Sequence, residues 1–303
     1  MKRMLEDNSR SENERNKVAM FWRTNENHVL QCLLCPHNCM IGEGLTGRCG
    51  VRSNQKGQLI AESYGLVSAI ALDPIEKKPL RRFESGKNIL SIGSFGCNLR
   101  CPFCQNHGIS LEYKNRWEHH KQMTPAQVAA MAEDTIARGN VGVAYTYNEP
   151  LVGYEFVLDS AKEVHQLGLK NVLITNGFIS PLPLKELMPY VDAMNIDLKC
   201  FSNEGYKKLG GYLEDVKRTI EIAAGVAHVE ITTLIISGVN DSEEEIYELT
   251  SWIATLNSEL PLHLARFFPA YQCWQKEPTP VDKMYKLEKV ATKHLKHVFL
   301  GNM

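Results

Sequence analysis

The cysteines are where this chain could do chemistry. Nine occur in 303 residues, and seven of them lie between Cys32 and Cys104. Three stand in Gly96-Cys97-Asn98-Leu99-Arg100-Cys101-Pro102-Phe103-Cys104, a C-x3-C-x2-C spacing. Thiolates in such a loop can each ligate one corner of a cubic iron–sulfur cluster and leave the fourth iron open to a small molecule. Two plainer readings stay open: with His107 the three make a Cys3His set for structural zinc, or they are simply buried thiols. The other four, Cys32, Cys35, Cys39 and Cys49, are spaced C-x2-C-x3-C-x9-C and joined by Gly42, Gly44 and Gly47. That pattern suits one tetrahedral site for zinc or a rubredoxin-like iron, with His37 as a spare ligand, and an auxiliary iron–sulfur cluster also satisfies it. A knuckle with so little apolar material needs an ion to order it. Cys200 and Cys273 have no partners at metal-site spacing and receive no role.

The rest of the composition excludes several classes. Lys plus Arg total 34 and Asp plus Glu 35, so no overall field recruits nucleic acid or an anionic membrane. Apolar residues make up 44% and no long apolar run occurs, which excludes a disordered or membrane-spanning chain. The first residues have no apolar core of a secretory signal, so a cytoplasmic location is expected, where clustered cysteines are more often ligands than disulfides.

These side chains must be positioned by a scaffold, and the chain reads as three parts. Residues 1–27 are polar and expected to be a flexible N-terminus, 28–87 a Cys-rich lobe with a connector, and 88–303 the core domain. In the core, strand-like runs at 88–95, 141–147, 171–175, 192–199, 228–236 and 261–268 alternate with helical patterns. Thr124 with Gln127 and Ser242 with Glu245 have capping-box spacing, and Gly139 and Gly168 read as helix stops. Six strand-then-helix units predict an α/β fold, a partial (β/α)6 TIM-like barrel, with a doubly wound sheet as the alternative. Loops at the carboxyl ends of such strands form the active face, so the three-cysteine loop after the first strand belongs there. Alternation places Asn195, Asp197 and Lys199 on the inner face of the fourth strand and Met194, Ile196 and Leu198 outside. On the same argument Glu230 and His263 face inward and are the candidate catalytic residues, although a strand histidine is often only a satisfied core residue.

With Phe103 before its last cysteine and a six-unit βα series behind it, the C-x3-C-x2-C loop resembles the signature of the radical S-adenosylmethionine superfamily, over residues 88–300. The resemblance implies that Cys97, Cys101 and Cys104 hold a [4Fe–4S] cluster and that S-adenosylmethionine binds its open iron. One-electron reduction then gives a 5′-deoxyadenosyl radical that abstracts hydrogen from a substrate. It also implies cofactor contacts at Phe103, at Asn148 and Glu149, where relatives carry Gly-Gly-Glu, at Thr175 and Asn176 of a Thr-Asn-Gly turn, and at Asp197 and Lys199. Glycyl-radical activases carry Asp where this chain has Ile174. The segment CLLCPHNCMIGEGLTGRCGVR, with PIEKKPL, YTYNEP and MNIDLK, is similar to the radical enzyme of the AmmeMemoRadiSam system, related to pyruvate formate-lyase activators. A small-molecule or protein substrate, a low-potential donor such as flavodoxin or ferredoxin, and other proteins of that system are the implied partners. The alternatives are a glycyl-radical activase within the class and a two-zinc structural or nucleic-acid-binding protein outside it.

Overall fold

The computed structural model describes residues 17–25, 28–112 and 120–303. Its central sheet has eight strands: β1 (Ala69–Pro74), β2 (Asn88–Gly93), β3 (Asn140–Tyr145), β4 (Lys170–Thr175), β5 (Ala193–Asp197), β6 (His228–Ile235), β7 (Leu262–Arg266) and β8 (Val298–Gly301). They lie in sequence order from edge to edge, β2 to β8 parallel and β1 antiparallel to β2. Helices α1 (Pro125–Asp134), α2 (Tyr154–Gln166), α3 (Pro181–Leu187), α4 (Asn203–Leu209), α5 (Leu213–Ala224), α6 (Glu243–Leu256) and α7 (Val281–Ala291) fall in the crossovers. A doubly wound sheet reverses its strand order part-way, and this one never does. Because each connection advances to the next strand with the same hand, the helices stay on one side and the sheet curls into a partial barrel.

β5 shows how the sequence makes the layers. Met194, Ile196 and Leu198 are fully buried in the main core between sheet and helices, while Ala193 packs inside the barrel with Ala144 and Val172. Each buried aliphatic side chain contributes about 1.5–3 kcal/mol relative to exposure, which fixes the register: a one-residue slip exchanges all of them for Asn195 and Asp197. The helix ends follow their local signals. Thr124 and Gln127 form a reciprocal capping box on α1, and Ser242 accepts from the Glu245 amide at the start of α6, though the Glu245 carboxylate turns to the Phe201 N–H instead. Among the described residues no helix is long and apolar enough to cross a membrane.

The lobe ahead of the barrel consists of a three-stranded antiparallel sheet (Trp22–Thr24, Leu30–Cys32, Met40–Ile41) and a hairpin (Arg52–Gln55 with Gln58–Ala61). Residues 1–16 of the expected flexible N-terminus, with 26 and 27, lie outside the described residues. Residues 17–25 correct that expectation. Trp22–Thr24 pairs with Leu30–Cys32, Lys17 Nζ lies 2.7 Å from Asp159, and the Met20 N–H donates to Glu155 on α2 at 2.7 Å. The polar composition concealed these pairings, and the partners of Lys17 and Met20 are more than a hundred residues away. Arg52 fastens the same junction: it is 1% exposed, its Nη1 donates to both Glu155 oxygens at 3.0 and 2.9 Å, and its Nη2 to the Met20 carbonyl at 2.6 Å.

Candidate active site

The three-cysteine loop starts at Gly96, where φ is +87° and a Cβ would stand 2.9 Å from the Cys49 carbonyl oxygen, so only glycine lets loop and lobe meet. Beyond it a cavity of about 360 Å³ opens at the carboxyl ends of the strands. Cys97, Cys101, Cys104 and Phe103 line one side, and Glu149, Asn176, Asp197 and Lys199 come from successive strand ends. Burial pushes the Cys101 thiol up to about 11 and also raises Cys97 and Cys104; neighbouring negative charge adds to this, while Lys199 favours the thiolates of Cys101 and Cys104. Thiols this costly to ionise suit a cationic partner, which deprotonates them on binding.

The polar strand ends hold one another. Glu149 accepts from Thr175 Oγ1 at 2.7 Å, the Asn176 N–H at 2.8 Å and the Leu151 N–H at 3.0 Å. Burial nonetheless dominates, and its carboxyl is pushed up to about 7. Asn176 Nδ2 lies 3.6 Å from Cys97 Sγ and donates to Asn98 Oδ1 at 2.9 Å, tying the β4 turn to the cysteine loop. Asp197 and Lys199 form a 2.7 Å ion pair on the cavity wall. Burial and the Asp197 charge act oppositely on Lys199, and the charge prevails, holding it protonated.

Asn148 lines the cavity, but other expected residues are engaged differently or stand elsewhere. The Asn148 carboxamide is used up on backbone, donating to the Phe95 and Gly96 carbonyls and accepting from the Ser94 N–H, so it clamps the cysteine loop to β3 rather than presenting free donors. Thr175 does not line the cavity, because its hydroxyl is turned to Glu149. His107 does not complete a zinc site: its ring stacks on Tyr271 at 4.6 Å, Nδ1 lies 3.2 Å from the Cys104 carbonyl, and Nε2 faces Glu112.

The candidate catalytic residues Glu230 and His263 are not among the residues that line the cavity. Both point inward as alternation requires, but lie below the cavity. Glu230 is fully buried and accepts four hydrogen bonds: His263 Nε2 at 2.6 Å, His228 Nε2 at 3.0 Å, and the N–H groups of Arg81 and Arg82 at 3.0 and 2.8 Å. These donors outweigh its desolvation and bring the carboxyl down to about 2. A carboxylate so fully used has no lone pair for a substrate; it anchors the segment after β1. Conversely, Lys77, Lys78 and Tyr147 line the cavity and had no assigned role.

In the lobe, Cys32 and Cys49 are buried and Cys35 and Cys39 half-buried. Burial pushes Cys49 up to about 11 and Cys35 to about 12, and charge on the other thiols of the set adds to both. Among the described residues no three His, Cys, Asp or Glu side chains converge as around a single ion. The ligands of a cubic cluster sit on separate irons and need not converge in that way, whereas a mononuclear knuckle site must draw its thiols together. His37 Nε2 is already 2.8 Å from the Asn98 carbonyl.

A curled parallel sheet with a polar, thiol-lined cavity at the carboxyl ends of its strands defines an enzyme of the α/β barrel class. The model of the Radical SAM superfamily matches residues 91–250, and the chain belongs to that superfamily. Membership brings S-adenosylmethionine and a [4Fe–4S] cluster as its cofactors. The chain is 38% identical over 290 residues to the uncharacterized protein MJ0808 of Methanocaldococcus jannaschii, covering 95% of this chain and 85% of that one. It is 25% identical over 208 residues to the pyruvate formate-lyase 1-activating enzyme of Escherichia coli, covering 64% and 79%. Streptococcus suis SuiB bound to its precursor peptide SuiA shares the fold, with a TM-score of 0.53 and 16% identity, over 68% of this chain and 46% of that one.

Proposed function

We propose that the enzyme holds its cluster through Cys97, Cys101 and Cys104 and uses it to cleave S-adenosylmethionine reductively for hydrogen abstraction. The observation that carries this is the placing of three half-buried thiols at the lining of one cavity together with polar strand ends. When bound, the cluster and cofactor supply the one-electron cleavage and the 5′-deoxyadenosyl radical. The chain's own part is positional. Asn176, fixed by Asn98, offers its amide beside Cys97; Lys199 and Asp197 present one charge of each sign to the zwitterionic end of the cofactor; Phe103, packed on Leu209, Ile236 and Phe267, closes the loop against water. Glu149 keeps the β4 turn in place through the Asn176 N–H.

The lobe's Cys32, Cys35, Cys39 and Cys49 are proposed to be drawn together on one zinc or iron ion, from positions where Cys32 and Cys49 are buried and Cys35 and Cys39 half-buried. A reductant of the flavodoxin or ferredoxin kind is required for turnover. Kinship with the AmmeMemoRadiSam enzymes is proposed from the lobe sequence, and the activase reading is disfavoured by the apolar Ile174 on the cavity wall. Anaerobic reconstitution tests the cluster: iron and sulfide near four each per chain are expected for a [4Fe–4S] centre, and a colourless protein with zinc alone overturns the proposal.

A further inference from the structure

Residues 75–82 leave β1 and cross the inside of the barrel. Ile75 and Leu80 are fully buried and pack with Ile89, Ala144, Val172 and Ala193 of four strands. Asn195 Nδ2 donates to the Pro79 carbonyl at 2.8 Å, and the Arg81 and Arg82 N–H groups donate to Glu230. A strap held this firmly fixes what it carries between its anchors, and it carries Lys77 and Lys78 to the wall of the cavity.

Lys78 is only 4% exposed. Its Nζ lies 2.9 Å from Asp73 Oδ2 and 4.6 Å from the centre of the Tyr147 ring. Tyr147, held at a positive φ of 71°, donates its hydroxyl to the same Asp73 oxygen at 3.0 Å, and Lys77 Nζ lies 3.5 Å from Asp73 Oδ1. One carboxylate therefore faces two ammonium groups and a phenol. The local charge is positive by one, and each ammonium keeps N–H donors that Asp73 does not take. A solvated surface pair would explain Lys77 alone. It does not explain Lys78, which is buried, shares Asp73 with Lys77 and Tyr147, and stands at the cavity lining with donors that Asp73 leaves free.

We propose that Lys77 and Lys78 form an anion-binding subsite in the cavity and that the substrate carries a carboxylate or phosphate group held there. The assignment of that anion to a substrate rests on the radical reading; the binding of an anion does not. The test is a titration of the full chain, free of cofactor and reductant, at pH 7 and low salt, with inorganic phosphate followed by 31P NMR and with 13C-labelled acetate. Saturable binding of at least one ion is expected, weakened about tenfold or more in Lys77→Gln and in Lys78→Gln, the scale of one lost charge-assisted hydrogen bond. Lys78→Gln strands Asp73 and can unfold the chain; Lys77→Gln alters an outward ammonium and carries the test by itself. No saturable binding of either ion by the wild type, or equal binding by Lys77→Gln, overturns the subsite. A protein that binds phosphate this way yet never cleaves S-adenosylmethionine refutes the reaction and leaves the subsite standing.

Discussion

Replacing Glu230 by Gln tests whether this residue is an anchor rather than an acid or base. Its carboxyl falls from the usual 4.5 to about 2 on folding because two imidazoles and two backbone N–H groups donate to it. The shift corresponds to about 3 kcal/mol of native-state stability, undiminished by solvent since the side chain is fully buried. Geometry points to the same scale: a Gln amide sets its NH2 against one imidazole, which can change tautomer, and one strap N–H, which cannot. Losing the acceptor of that buried N–H costs about 1–3 kcal/mol. The sign follows from a depressed folded value: the contribution is complete above the unfolded pKa near 4.5 and is lost as pH falls through about 2. Urea unfolding of the wild type and Glu230→Gln, under reducing conditions, should therefore differ by about 3 kcal/mol from pH 7 to pH 5, with the gap closing below pH 4.5. A difference under about 1 kcal/mol at pH 7, or a gap that does not narrow on acidification, refutes the reasoning.

Two further outcomes are expected. Arg52→Met leaves the Glu155 carboxylate buried without its partner and should lower stability by about 3–5 kcal/mol in the same unfolding assay, far more than a surface pair such as Lys208 with Glu204. Cys35→Ala should remove one metal equivalent and reduce thermal stability while the iron–sulfur absorbance persists; unchanged metal content rejects a metal site in the lobe.

Much of the scaffold was legible because local pattern and tertiary burial agree. In β5, alternation separates Met194 and Ile196 from Asn195 and Asp197, and the same alternation sends Glu230 and His263 inward. Alternation does not give height along a barrel axis, so two residues on a plugging layer looked like residues at the mouth. β1 and β8 were missed as strands because their pairing with β2 and β7 is non-local, and AIALDP ends in a turn-like Asp-Pro. The cysteine spacing marked the loop after β2 directly. Asn148 was legible as a polar strand end but not as a clamp, since only the folded chain shows its carboxamide spent on Phe95 and Gly96. Lys77 and Lys78 entered only as part of PIEKKPL, because nothing in that run shows that the strap carries them to the cavity wall.

The central claim is that the loop after β2 holds the reactive cluster. Anaerobically reconstituted protein, reduced with dithionite in the presence of S-adenosylmethionine, should release 5′-deoxyadenosine and methionine, and Cys101→Ala of intact fold should release neither above the protein-free background. Continued deoxyadenosine formation by Cys101→Ala, or none from the reconstituted wild type, contradicts the account.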